Sequence, residues 1–100
     1  MDGKKVLEVI GVYRNFFESL HIEKKNFKPT LNMPGELNAL MHCHGMLDQM
    51  EQFVKEGRMD KAFRWLGFIQ GCLWSAGHYT LDDLKNHSRP QPLKMRWNDE

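Results

Sequence analysis

Residues 59–76 read MDKAFRWLGFIQGCLWSA, and this stretch decides the fold. It is apolar on nearly every side of a helical wheel, with Arg64 and Gln70 its only strongly polar side chains after Lys61. Such a helix belongs at the centre of a small protein, with both faces covered. Gly67, Gly71 and Ser75 recur at a spacing of four and form a row of small residues. Each glycine costs about 1 kcal/mol of helix stability relative to alanine. That cost implies tight packing of the row against a neighbouring backbone or a flat ligand.

Three more helices read outward from this one. Val6, Val9, Ile10, Tyr13, Phe16, Phe17 and Leu20 fall at spacings of three and four and predict a helix from Lys4 to Leu20. The connection at 21–35 carries Pro29 and Pro34, with Phe27 and Leu31 expected to pin it to the core. A second helix is predicted from Pro34 to Glu56, capped by Asn32 or Met33, with Leu37, Leu40, His44, Leu47, Met50 and Val54 as its inward stripe. Gly57 is placed to end it in a left-handed conformation. Gly77 ends the central helix, and Thr80-Leu81-Asp82-Asp83 reads as a capping box that starts a short fourth helix with Leu81 and Leu84 facing inward. The expected architecture is all-α, a bundle of about four helices over residues 1–90, followed by a tail at 91–100 that Leu93, Met95 and Trp97 could latch.

A chain of 100 residues buries only about 60–65% of its extended surface, so its own core is marginal and self-association is a common remedy. We therefore expect a homo-oligomer. Met41, Met46 and Met50 with Phe53 make the second helix an adaptable apolar surface, and Met46 and Phe53 form a second strip that reads as a protein interface. The net charge of +1 provides no strong field toward duplex nucleic acid or a membrane. No apolar run approaches the roughly 20 residues that span a bilayer, and the first residues, MDGKKVLEVIG, are too polar for a secretory signal. A cytoplasmic setting is expected.

The chemistry-bearing residues are few. His42, Cys43 and His44 are adjacent, but helix neighbours point about 100° apart and cannot converge on one ion. His44, Asp48 and Glu51 do share a face and could hold a divalent cation; a core histidine beside solvent-facing acids is the plainer reading, and no metal or cofactor is expected. Ser19, Ser75 and Ser88 lack a nucleophile elbow. Burial of Cys72 inside an apolar helix would raise its thiol pKa and quench it, so no catalytic residue is assigned. Residues 58–98 carry seven Lys and Arg against Asp60, Asp82 and Asp83. Arg64, Trp65, Trp74, His78, Tyr79, Lys85, His87 and Arg89 lie in that basic half, where Arg or Lys could hold phosphate and an aromatic ring could stack.

The segment EGRMDKAFRWLGFIQGCLWSAGHYTLDDLKNHSRP resembles small accessory proteins of tailed bacteriophages, which share an FRWLGFIQG-x-LW core and a T-x-x-x-LK-x-H-x-RP ending. The resemblance covers about residues 36–90 and implies action in an infected bacterial cytoplasm, where such proteins disarm host defences or redirect host enzymes. A fainter similarity is to all-α nucleotide pyrophosphatases of the MazG type. Their metal motif EExxE is reduced here to Asp48 and Glu51, and Gly67-Phe68-Ile69-Gln70 stands where ExxD would be.

Together these readings lead to an expected non-enzyme that sequesters a small anionic ligand, such as a nucleotide immune signal. Arg64, Lys85, His87 and Arg89 would hold phosphate, and Trp65, Trp74 or Tyr79 would stack. The rivals are an inhibitor that grips a host enzyme through Met46 and Phe53, and a metal-dependent nucleotide hydrolase using His44, Asp48 and Glu51.

Overall fold

The computed structural model describes residues 2–30, 32 and 35–88. Four helices follow in order: α1 (Gly3–Ser19), α2 (Glu36–Lys55), α3 (Met59–Ser75) and α4 (Leu81–Ser88). The expected all-α bundle is what the chain forms. Leu31, Met33, Pro34, Arg89 and the proposed tail at 91–100 lie outside the described residues.

Local chemistry sets the helix ends. The Asp2 carboxylate accepts from the Lys5 N–H at 2.9 Å and starts α1. Leu20 closes that helix with His21 at φ 57°, a left-handed conformation unusual for a residue with a Cβ. The His21 N–H donates to the Glu18 carbonyl and the Ile22 N–H to the Phe17 carbonyl, both at 3.0 Å, which satisfies two orphan acceptors. Gly57 after α2 and Gly77 after α3 repeat the pattern at φ 77° and 79°, where glycine meets no steric penalty. The capping box holds in both directions: the Asp83 N–H donates to Thr80 Oγ1, and the Thr80 N–H donates to Asp83 Oδ2, each at 3.0 Å. α2 begins at Glu36 with Gly35 before it, and no side chain caps that end.

The central helix is α2, not α3. It packs against both α1 and α3, while α4 packs against α1. α2 buries Leu40, Cys43, His44, Gly45, Met46, Leu47, Met50 and Phe53, positions that spread around more than half its circumference. α3 buries only Ala62, Leu66, Ile69 and Leu73, a one-sided stripe at spacings of four, three and four. Its outer face is bare: Phe68 and Trp74 are each 53% exposed, and Phe63, Gly67 and Gly71 are exposed beside them. The sequence-based expectation of a covered α3 is corrected: among the described residues α2 is its main helical neighbour, and the side turned away from α2 and the core stays exposed.

Three other expectations are corrected. Met46 and Phe53 are core residues, not an interface. The Phe53 ring is closed off by Trp65, edge-on at 4.9 Å, and by the Arg58 and Lys61 cations at 5.0 and 4.8 Å. Leu81 faces outward at 55% exposure while Leu84 is buried, and Leu37 is 61% exposed at the start of α2. Phe27 does pin the α1–α2 connection, half-buried against His42, whose Nδ1 accepts from the Phe27 N–H at 3.1 Å.

The glycine that carries a close approach is Gly45. The Lys25 N–H donates to the Met41 carbonyl at 3.0 Å, which lays the connection flat on α2. A Cβ at Gly45 would lie 2.7 Å from the Lys25 carbonyl oxygen, whereas one at Gly67 or Gly71 meets nothing within 4 Å among the described residues. The three glycines therefore differ in sign. Gly45→Ala should destabilise the monomer by about 1–3 kcal/mol, as overpacking against backbone does. Gly67→Ala or Gly71→Ala should stabilise it by up to about 1 kcal/mol through helix propensity. Urea denaturation of the single variants checks this, and a destabilised Gly71→Ala monomer would contradict the bare face.

Candidate functional site

The residues expected to share one site fall into separate places. Arg64 is exposed in the second turn of α3 and, with Gly57, Arg58, Met59, Asp60 and Lys61, lines a cleft of about 370 Å³. No side chain caps this end of α3 among the described residues, so its first N–H groups stay open to an acceptor. Trp65 is half-buried against Phe53 and Lys61 and lies on the opposite side of the helix from Trp74. Arg64 and Trp74 are about 15 Å apart along α3, at 1.5 Å per residue.

Trp74 belongs to a second cleft of about 480 Å³ at the corner between α3 and α4, lined also by His78, Tyr79, Leu81, Asp82 and Asp83. Its rim is acidic, which opposes an anion there. Lys85 is exposed on α4, and Arg89 lies outside the described residues.

Tyr79 and His87 do come together, in a polar knot that ties α4 to α1. The Gln70 side-chain amide donates to the Tyr13 hydroxyl at 3.0 Å. The Tyr13 O–H is then free to donate to His87 Nδ1, 2.9 Å away. A hydrogen bond donated by Tyr13 requires the neutral tautomer of His87, with its proton on Nε2. The Tyr79 ring packs on His87 at 4.8 Å, Phe16 at 5.2 Å and Tyr13 at 5.9 Å. Burial pushes the Tyr13 hydroxyl up to about 12, with the Gln70 hydrogen bond opposing and Tyr79 adding to the rise. Burial also raises Tyr79, with the Asp83 charge adding to it. His87 is pushed below its ordinary value by desolvation; Asp83 opposes that shift and Lys5 reinforces it.

The acids proposed for metal chemistry are occupied by cations of the chain itself. Arg14 Nη2 donates to Asp48 Oδ1 at 2.8 Å and to Glu51 Oε1 at 3.2 Å. Lys24 Nζ reaches Asp48 Oδ2 at 3.1 Å, and Lys55 approaches Glu51 at 3.9 Å. Desolvation pushes the Asp48 carboxyl up, but its hydrogen bonds to Lys24 and Arg14 and their charges together hold it below the usual range. His44 is buried and turned elsewhere: its Nδ1 donates to the Ile22 carbonyl at 2.7 Å, and its Nε2 has no hydrogen-bond partner among the described residues. No group of three or more His, Cys, Asp or Glu converges as a metal site among the described residues. A hydrolase built on Asp48 and Glu51 would first have to break the Arg14 pairs.

The two cysteines correct one more expectation. Cys72 is half-buried rather than enclosed, while Cys43 is fully buried. The influence of Cys43 holds the Cys72 thiol below its ordinary value, against the opposing effect of desolvation. The sequence reading missed this pair, and it missed Phe63, Phe68 and Leu81 as exposed apolar residues. The wheel of α3 does hold the signal for two of them: Ala62, Leu66, Ile69 and Leu73 mark one face, and Phe63 and Phe68 fall off it.

The His87 knot has a pH signature. Its folded-state pKa lies below the unfolded value, so the fold favours the neutral ring. The stability it contributes is complete well above about pH 6.5, the unfolded value. It is lost as pH falls through that value toward the lower folded one. Urea midpoints of wild type and His87→Gln between pH 7.5 and 5.5 test this. The wild type should weaken more steeply on acidification, and equal slopes would contradict the assignment.

No family model matches the chain, and neither the curated proteins nor the solved structures searched are significantly similar to it.

Proposed function

We propose that this protein is a non-catalytic docking domain whose outer α3 face packs against another polypeptide, a homo-oligomer being the smallest assembly that covers it. The observation that carries this reading is the bare face itself. Phe63, Phe68, Trp74 and, around the corner, Leu81 are exposed large apolar residues, and Gly67 and Gly71 lie between them with open space above. Large apolar side chains grouped in this way mark an interaction surface. The glycines let a second helix approach closely, and covering the aromatic residues would contribute on the order of several kcal/mol against the entropy of association. No helix among the described residues is long and apolar enough to cross a membrane, so a bilayer is not what covers α3 by spanning. The resemblance to phage accessory proteins supports a setting in a bacterial cytoplasm, with a host protein as the other occupant of the same face.

Sedimentation velocity across a concentration range tests this. Wild type should self-associate, and Phe68→Glu and Trp74→Glu should each weaken association by about tenfold or more. Neither change should alter the monomer's circular dichroism, because both side chains are exposed. A protein that stays monomeric at every concentration contradicts the homo-oligomer.

One observation favours a second reading, the sequestering of a small anion. Arg58, Lys61 and Arg64 line the cleft at the uncapped start of α3. Cations beside free helix N–H groups suit a phosphate. This version of the nucleotide-binding role uses Arg64 but neither Trp74 nor Tyr79. Titration calorimetry against cyclic and linear nucleotides decides it: heat that disappears in Arg64→Ala supports the reading, and no heat with any of them removes it.

A further inference from the structure

The two ends of the outer α3 face carry opposite charge. At the start of α3, Arg58, Lys61 and Arg64 line one cleft together with Asp60. Arg58 and Lys61 are already held, Arg58 by Glu56 at 3.6 Å and both by the Phe53 ring. Arg64 is exposed and makes no ion pair among the described residues. At the far end, Trp74, Asp82 and Asp83 line the corner cleft beside His78, Tyr79 and Leu81. Asp83 accepts from the Thr80 N–H, whereas Asp82 is exposed and makes no ion pair among the described residues. An exposed indole beside a free carboxylate suits an arginine side chain, which stacks on the ring and pairs with the acid.

The spacing of these groups along α3 is symmetric. Gly67 and Gly71 lie two residues before and after Ile69, and Arg64 and Trp74 lie five before and after it. All four are exposed, and they fall within about 80° of one another around the helix. Ile69 itself points into the core, so the outer side at its level is the open space between the two glycines. A second α3 laid antiparallel across that space, about a two-fold axis, brings Gly67 to the partner's Gly71 and Arg64 to the partner's Trp74. Two-fold symmetry makes each contact twice. A parallel copy would set basic end against basic end and acidic end against acidic end, a costly juxtaposition.

We propose that this face closes on a second copy of the chain as an antiparallel two-fold dimer, with Arg64 of each protomer seated against the partner's Trp74 and the partner's Asp82. This dimer rests on the docking reading above and adds to it one occupant and one register. The glycines, with no Cβ, let the two backbones approach closely at the axis. Phe63 and Phe68 flank the glycine row and are covered on closure. The charged contact lies at the rim, about 7.5 Å along α3 from the axis at 1.5 Å per residue, where it fixes direction more than it adds affinity. Asp60, the acid that lines the basic cleft, sits a turn farther from the axis than Arg64, and Lys85 lies outside the lining of the corner cleft. The anion that the basic cleft meets is then a carboxylate of the partner.

Sedimentation velocity of Arg64→Glu, Asp82→Arg and their equimolar mixture tests this arrangement. Wild type should form a dimer and no larger species. Each variant alone sets like charges together at both contacts and should dimerise about tenfold more weakly. In the mixed dimer both contacts again join opposite charges, so the mixture should regain wild-type affinity. Both positions are exposed, and circular dichroism of each variant checks that the monomer is intact. Should Asp82→Arg disturb the start of α4, Asp82→Asn replaces it as the weakened single variant, and wild-type dimerisation should itself weaken as salt rises. A mixture that associates no better than its components, an Arg64→Glu chain that dimerises as well as wild type, or open-ended oligomers would each overturn the antiparallel register and leave the docking reading standing. A wild-type chain that stays monomeric would overturn both.

Discussion

α2 is wrapped on more than half its circumference by the other described elements. α1 lies on one side of it, α3 on another, and the connection after α1 is pressed onto it where Lys25 and Asn26 meet Gly45. A domain of this size has little surface left to bury a second helix equally well. α3 therefore gives one stripe to the core and keeps Phe63, Phe68 and Trp74 outside. The docking reading and the open glycine row both follow from how that limited cover is shared.

Polar groups hold the arrangement at its edges. Arg14 and Lys24 fix Asp48 and Glu51 and so pin α1 and the connection to α2. These pairs are largely solvent-exposed, and their contribution is accordingly small. The Tyr13–Gln70–His87 knot is better shielded and joins three helices around one hydroxyl. It accounts for Tyr79 and His87 without a ligand, since both rings already have partners within the fold.

Much of the fold was legible in the sequence because the signals are local. The α1 stripe of Val6, Val9, Ile10, Tyr13 and Phe17 is buried as read. Gly57, Gly77 and the Thr80–Asp83 box end or begin helices where they were placed. What could not be read is which neighbour covers which face. A wheel of α3 shows apolar residues on every side but not which of them the other described helices leave exposed. The Met46 and Phe53 strip looked spare until Trp65, Arg58 and Lys61 closed over Phe53. Contacts between distant positions, such as Tyr13 with His87 and Arg14 with Asp48, leave no periodic trace. The candidate site was legible least, because Arg64, Trp74 and His87 share a stretch of sequence but not a place in the fold.

The central claim is that the outer face of α3 is bare in the monomer and is where association occurs. Amide chemical shifts recorded from dilute to concentrated protein test it most directly. The account predicts concentration-dependent shifts confined to Phe63–Ser75 and the Leu81 corner, with the outward residues of α1 unmoved. Shifts centred on α1, or none on α3 while the protein associates, would contradict it.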